Sequence, residues 1–219
     1  MSIKQVLQSK VLPVKMAIFY EHTINPATKL AVWHITEDES FFLEKVTVQR
    51  TITHPHKRLQ HLAGRYLLQY LFPDFPHPLI LIADTRKPFL LNEEYHFSIS
   101  HCGDYAAVIV SKDHRVGIDI ELLSTKVEKI KHKFLNTAEL SSFNFSGLDK
   151  LTTLWSAKEA VFKWYGSGEV DFREHISIDE LKQDTIAGRF IKNEVIDVEI
   201  HHQRMGNVVL AYLYSLQIS

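Results

Sequence analysis

Only one cysteine occurs in the chain, Cys102. That excludes an intrachain disulfide and any zinc site built from several thiolates, and it suits a reducing compartment. Glycine and proline are also scarce, 8 and 7 among 219 residues, while 45% of the residues are hydrophobic. This is the composition of a folded chain, not a disordered one. Neither sign of charge dominates, with 25 basic and 26 acidic side chains. No global positive field marks the chain for nucleic acid, so any anionic ligand has to be held by a local cluster. Apolar runs such as "PLILIA" (78–83) are far too short to span a bilayer. The first twenty residues lack the apolar core and small-residue cleavage site of a signal peptide. These absences lead to the expectation of a cytoplasmic protein with neither membrane nor nucleic acid as partner. Histidine is abundant, 13 residues, but scattered. The close sets His54/His56 and His201/His202 have no Cys, Asp or Glu at the spacing of a zinc site.

What is present is a chain of short strands and amphipathic helices. Residues 14–20 and 29–34 alternate as paired strands, with a turn near Asn25–Pro26. A helix begins near Asp38, with acids in its first turn where the dipole favours them. Over 57–72, Leu59, Leu62, Ala63, Tyr66, Leu67, Tyr70 and Leu71 recur at helical steps. The opposite face carries Lys57, Arg58, His61 and Arg65. Strands follow at 79–83, 95–100, 105–111 and 115–121, the last three joined by turns of hairpin length. Helices are expected at 126–135, 137–144 and 148–165, the second with an Asn136/Glu139 capping box and the third capped by Gly166. The tail from 175 onward is β-rich. The pattern is α+β with antiparallel sheet, and it divides into two halves of similar size, 1–112 and 113–219.

Three short stretches carry candidate chemistry. In "GIDIE", Asp119 and Glu121 point to one face of a strand, about 6.6 Å apart by strand rise, with Ile118 and Ile120 on the other. Paired carboxylates suit a hard cation such as Mg²⁺. In "WSAKEAVFK", Glu159 and Lys163 share a helical face, and Lys158 is turned about 100° from Glu159. In "TRKPFLLNEEYHFSISH", Lys87 precedes Pro88, and Ser98, Ser100 and His101 offer donors for phosphate oxygens. Taken singly, each reads as a solvated strand end or a simple helix ion pair; a Glu–Lys helix pair contributes only about 0.3–0.5 kcal/mol.

Taken in order, they resemble one family, the 4′-phosphopantetheinyl transferases of the surfactin-synthetase type. That family shows Lys-Pro, a strand ending in Ser-His, G-I-D-[IV]-E and W-[ST]-x-K-E-[AS]-x-x-K. Here these are Lys87-Pro88, Ser100-His101, Gly117 through Glu121, and Trp155 through Lys163. The "LAGR" at 62–65 also looks like the upstream family segment, and the resemblance spans about 57–165. Arg86 stands where many members have glycine, a change harmless to phosphate binding.

The resemblance implies transfer of the phosphopantetheine arm of coenzyme A to a serine of an apo acyl or peptidyl carrier protein. It implies Mg²⁺, with Mn²⁺ an alternative, held by Asp119, Glu121 and Glu159. Glu159 is then also the group to deprotonate the carrier serine, and its two roles are not separable from sequence. Lys158 and Lys163 are assigned to coenzyme A phosphates, Lys163 to the charge developing in transfer. Lys87, Ser100 and His101 are assigned to the nucleotide end, with Arg58 and Arg65 as further cofactor-binding candidates. Trp155, Phe162 and Trp164 are read as packing. The implied fold is two similar halves, each an antiparallel sheet with a packed helix, around a ligand cleft. Internal duplication implies a monomer. The segment 124–134 carries Lys126, Lys129, Lys131 and Lys133 against Glu128 alone, and is expected near the docking surface of an acidic carrier. The rival readings are a coenzyme A or nucleotide-binding protein without transferase activity, a nucleic-acid module on the basic helix, and a Mg²⁺-dependent nucleotide hydrolase.

Overall fold

The computed structural model describes residues 17–46, 51–143 and 147–216. Residues 14–16 of the first expected strand lie outside them. The chain opens with a hairpin, β1 (Ile18–Asn25) and β2 (Thr28–His34). Asn25 closes it, its side-chain oxygen accepting from Ala27 N at 2.8 Å. Asp38 caps the short α1 (Glu39–Leu43) by accepting from Phe41 N. The long α2 (Pro55–Leu71) starts with Pro55 in its first turn, where the missing N–H costs nothing.

After α2 the expected strand 79–83 shrinks to a 3-10 turn, His77–Leu79, and two residues of β3 (Leu81–Ile82), paired with β4 (Pro88–Phe89). Both β3 residues are exposed. This ribbon has no sheet to join, and an isolated ribbon gives little drive to lengthen. The strands β5 (His96–Cys102) and β6 (Tyr105–Ser111) form the expected hairpin across Gly103. The next expectation fails. β7 (His114–Leu122) does not pair with β6, because both edges of β6 are already taken by β2 and β5. Ser111 Oγ accepts from His114 N at 3.0 Å and turns the chain into a second sheet.

After β7 the chain forms α3 (Lys126–Phe134), α4 (Thr137–Ser142) and α5 (Leu148–Tyr165), and the sheet is completed by β8 (Ile176–Leu181), β9 (Thr185–Ile191), β10 (Val195–Met205) and β11 (Val208–Leu216). The capping box on α4 and the left-handed cap at Gly166 (φ 76°) are as expected. The strand orders are β1-β2-β6-β5 and β7-β11-β10-β9-β8, with antiparallel pairing throughout.

The fold is therefore α+β, with two antiparallel sheets and one long helix packed on each. The α2 side of the first sheet buries Leu62, Leu67, Phe97 and Val108. The α5 side of the second buries Leu154, Val161, Trp164 and Ala211. The remaining faces meet in a shared core, with Leu30, Val32 and Ile109 against Ile118, Ile120 and Leu210. At about 1.5–3 kcal/mol per buried aliphatic side chain, this core outweighs any single hydrogen bond between the sheets, about 0.5–1.5 kcal/mol. Among the described residues, no helix is long and apolar enough to cross a membrane.

Candidate active site

The two sheets touch along their edge strands, β5 and β7, and this seam builds the site. The strands run side by side in the same direction, but side chains replace the usual backbone ladder. Ser98 Oγ accepts from Ile118 N at 3.2 Å, Ser100 Oγ from Ile120 N at 3.3 Å, and Cys102 Sγ from Leu122 N at 3.4 Å. The period of two puts these three residues on one face of β5. The same period sends Ile118 and Ile120 into the shared core and turns Asp119 and Glu121 toward α5. Helix α5 approaches closely because Gly117 has no side chain: a Cβ there would lie 2.1 Å from the Ala160 carbonyl oxygen. The glycine of "GIDIE" is thus a packing requirement.

Asp119 is buried, 3% exposed, with both oxygens fixed. Oδ1 accepts from Ser100 Oγ at 2.8 Å and from the Lys163 ammonium at 2.6 Å, and Oδ2 accepts from Ser156 Oγ at 2.9 Å. Glu121 accepts from the Trp155 indole N–H at 3.0 Å and from the Cys102 thiol at 3.4 Å. Burial, reinforced by Asp119, raises its pKa. Glu159 reaches the same region from α5. Burial first, then the charge of Asp119, pushes it up from 4.5 to about 7, with Glu121 adding to the rise and Lys163 opposing it. Asp119 raises both Glu121 and Glu159, and the three acids together define a place short of positive charge.

Hard oxygen donors and this excess of acid fit Mg²⁺. The ammonium of Lys163 already sits on Asp119 as a cation. As the side chains stand, though, no group of three or more His, Cys, Asp or Glu among the described residues is gathered closely enough to ligate an ion.

The remaining candidates separate. Ser100 is not free for phosphate. Its hydroxyl is buried, donates to Asp119, and accepts from Ile120 N and from Lys163 at 2.8 Å, which exhausts its capacity. Lys158 does not face the site at all. It is fully buried on another side of α5, its ammonium shared among the carbonyls of Phe134, Phe172 and Ile176 and the carboxylate of Glu139, all within 2.9 Å. The 100° between adjacent helical residues that offered it a second part of the ligand instead turns it into the core. Burial lowers its pKa, against the pull of Glu139.

Arg58 pairs with Glu39 of α1 at 2.7 Å. His101 stands exposed at the end of β5, within electrostatic range of Lys163, Asp119 and Lys57. Lys87 directs its ammonium to the Lys163 carbonyl at 2.7 Å. Arg65 is 8% exposed, and its Nη1 finds no partner among the described residues. It lines a pocket of about 300 Å³ with Lys45, His61, Gln69 and His77, and no described acid lines it. A second cleft, about 210 Å³, lies against the seam between Thr85–Pro88, Phe97–Ile99 and Phe162–Lys163.

Four contributors escaped the sequence reading: Ser156, Trp155 as a donor, Cys102 and Glu139. Ser156 alone had a signal. It stands three residues before Glu159 and seven before Lys163, on one helical stripe.

The fold and site define a class: a protein of two α+β halves with carboxylates and a lysine converging at the seam and a cleft against it. Comparison with known proteins specifies it further. Residues 115–213 match the 4′-phosphopantetheinyl transferase superfamily. The chain is 33% identical over 164 residues to Enterobactin synthase component D of Escherichia coli (strain K12), covering 70% of this chain and 75% of that one. It is 30% identical over 143 residues to 4′-phosphopantetheinyl transferase gsp of Aneurinibacillus migulanus, covering 63% of this chain and 59% of that one. A 28% identity over 137 residues links it to 4′-phosphopantetheinyl transferase AcpT of Escherichia coli (strain K12). The chain belongs to the 4′-phosphopantetheinyl transferase superfamily.

Proposed function

We propose that this protein transfers the 4′-phosphopantetheine of coenzyme A to a serine hydroxyl of an apo acyl or peptidyl carrier protein. The serine oxygen bonds to the phosphorus that bears the pantetheine arm, the pyrophosphate P–O bond breaks, and adenosine 3′,5′-bisphosphate leaves. The observation that carries the reading is the coupled acid cluster of Asp119, Glu121 and Glu159 with Lys163 upon it. Those carboxylates would hold Mg²⁺, which when bound neutralises pyrophosphate charge and stabilises the leaving group.

Glu159 would also accept the serine proton, directly or through water. Lys163, held on Asp119, would meet the charge of the reacting phosphates. The Arg65 pocket suits the 3′-phosphate, because a buried guanidinium without a counter-charge is completed by an anion. His101 stands as a further donor at the nucleotide end.

The carrier would dock on α3. Lys126, Lys129 and Lys133 are exposed at spacings of three and four, so they form one basic stripe. Val127 and Phe134 point inward and hold the helix to α5. Such a stripe steers an acidic partner. Reversing Lys129 and Lys133 to Glu should raise the KM for carrier and spare that for coenzyme A.

One observation favours a second reading, a coenzyme A-binding protein without transfer: Lys163 occupies Asp119, and the three acids form no ready cage. Incubation with coenzyme A, Mg²⁺ and a panel of apo carriers, read by intact mass, separates the two. A mass gain of one phosphopantetheine supports transfer. No gain on any carrier, with coenzyme A bound, leaves the second reading.

A further inference from the structure

Lys87 belongs to a segment of the first half that lies across the end of α5 in the second. Three contacts make the strap. The Lys87 ammonium donates to the Lys163 carbonyl at 2.7 Å. Thr85 Oγ1 donates to the Gly166 carbonyl at 3.4 Å. The Thr85 methyl packs on Gly168, where an added Cβ would approach it to 2.9 Å.

The helix end needs these contacts. Its last carbonyls have no partner within the helix, and the left-handed cap satisfies one of them, Phe162 O, through Gly166 N at 3.0 Å. Lys163 O is one residue further on, and Lys87 serves it. A cation is also the charge favoured at a helix C-terminus. The fit is tight: a Cβ at Gly166 would stand 2.4 Å from Lys87 Nζ and 2.8 Å from its Cδ. At the other end of Lys163, the ammonium sits on Asp119 and Ser100 at 2.6 and 2.8 Å. Lys87 therefore grips the backbone of the residue whose side chain enters the acid cluster.

We propose that Lys87 is a positioning residue that sets the place of Lys163 through the C-terminal turn of α5, and that it is not itself a phosphate ligand. The hydrogen bond to the half-buried Lys163 O would be lost if the ammonium were drawn away to a phosphate.

The kinetic part of the test rests on the transferase reading above; the other parts do not. In Lys87→Met, the dissociation constant for coenzyme A without metal should change less than threefold. The kcat should fall at least tenfold, well below the melting temperature. Amide hydrogen exchange at residues 163–168 of the ligand-free protein should quicken at least tenfold. A merely structural lysine would lower Tm and leave the kcat of the folded enzyme alone. Lys87→Arg should recover part of kcat.

Gly166→Ala keeps Lys87 but pushes its ammonium off the carbonyl, so it should show the same signature if Lys87→Met does not fold. Coenzyme A binding weakened more than tenfold with exchange unchanged would make Lys87 a ligand and overturn the proposal; so would an unaltered kcat. If the wild-type protein modifies no carrier, the transferase reading fails, while affinity and exchange still decide the role of Lys87.

Discussion

Replacing Glu159 by glutamine probes the acid cluster without any substrate. The structure holds this carboxyl among Asp119 and Glu121 in a half-buried position, and its pKa rises from 4.5 to about 7. A displacement of that size corresponds to roughly 3 kcal/mol, an upper figure that water reaching the side chain reduces to about 1–2 kcal/mol. The sign follows from proton binding. Between pH 4.5 and about 7 the native protein retains a proton that the unfolded chain has released, so stability falls as pH rises through that window and is level above it. Glutamine cannot ionise and escapes the loss. The variant should match wild type near pH 4 and be more stable by about 1–2 kcal/mol at pH 8, roughly 2–8 °C in Tm for a chain of this size. Thermal unfolding in EDTA across this pH range measures it. Parallel curves for the two proteins, or a less stable variant at pH 8, would refute the raised pKa of Glu159. The same substitution should abolish transfer, so stability and activity move in opposite directions.

Gly117→Ala places a Cβ 2.1 Å from Ala160 O and 2.8 Å from Trp164 Cβ, and should cost about 1–3 kcal/mol as α5 is forced off β7. An unchanged Tm would contradict the close approach. Lys158→Met strands Glu139 in the core and should cost about 3–5 kcal/mol in denaturant unfolding, with partial recovery on adding Glu139→Gln. In the fraction that folds, coenzyme A affinity should stay within about threefold, since breaking this pair disturbs stability and not the ligand; a larger loss would return Lys158 to the site. Arg65→Met should weaken coenzyme A at least tenfold and spare 3′-dephospho-coenzyme A, as removal of one charge-assisted phosphate contact requires. Equal losses for the two ligands would empty the pocket of its assigned phosphate.

Local sequence determined what depends on neighbours along the chain. Period-two alternation placed Asp119 and Glu121 on one face of β7, and the helical period put Glu159 and Lys163 on one face of α5. The caps at Asn136 and Gly166 were legible because their partners lie within four residues. The ordered motifs pointed to the family before any fold was known.

Only tertiary structure decided which strands became edges. β6 was saturated by β2 and β5, so β7 crossed to another sheet, and the seam where Ser100 meets Asp119 came into being. It also decided the fate of each polar group between packed elements. Lys158 went to Glu139 and three carbonyls, Ser100 to Asp119, Lys87 to the end of α5, and Arg65 to a pocket without acid. A motif supplies residue types at a spacing. Whether a lysine meets phosphate or a buried carbonyl depends on which acceptor packing brings within about 3 Å, and that acceptor stands 19 residues away for Glu139 and Lys158 and 76 for Lys87 and Lys163.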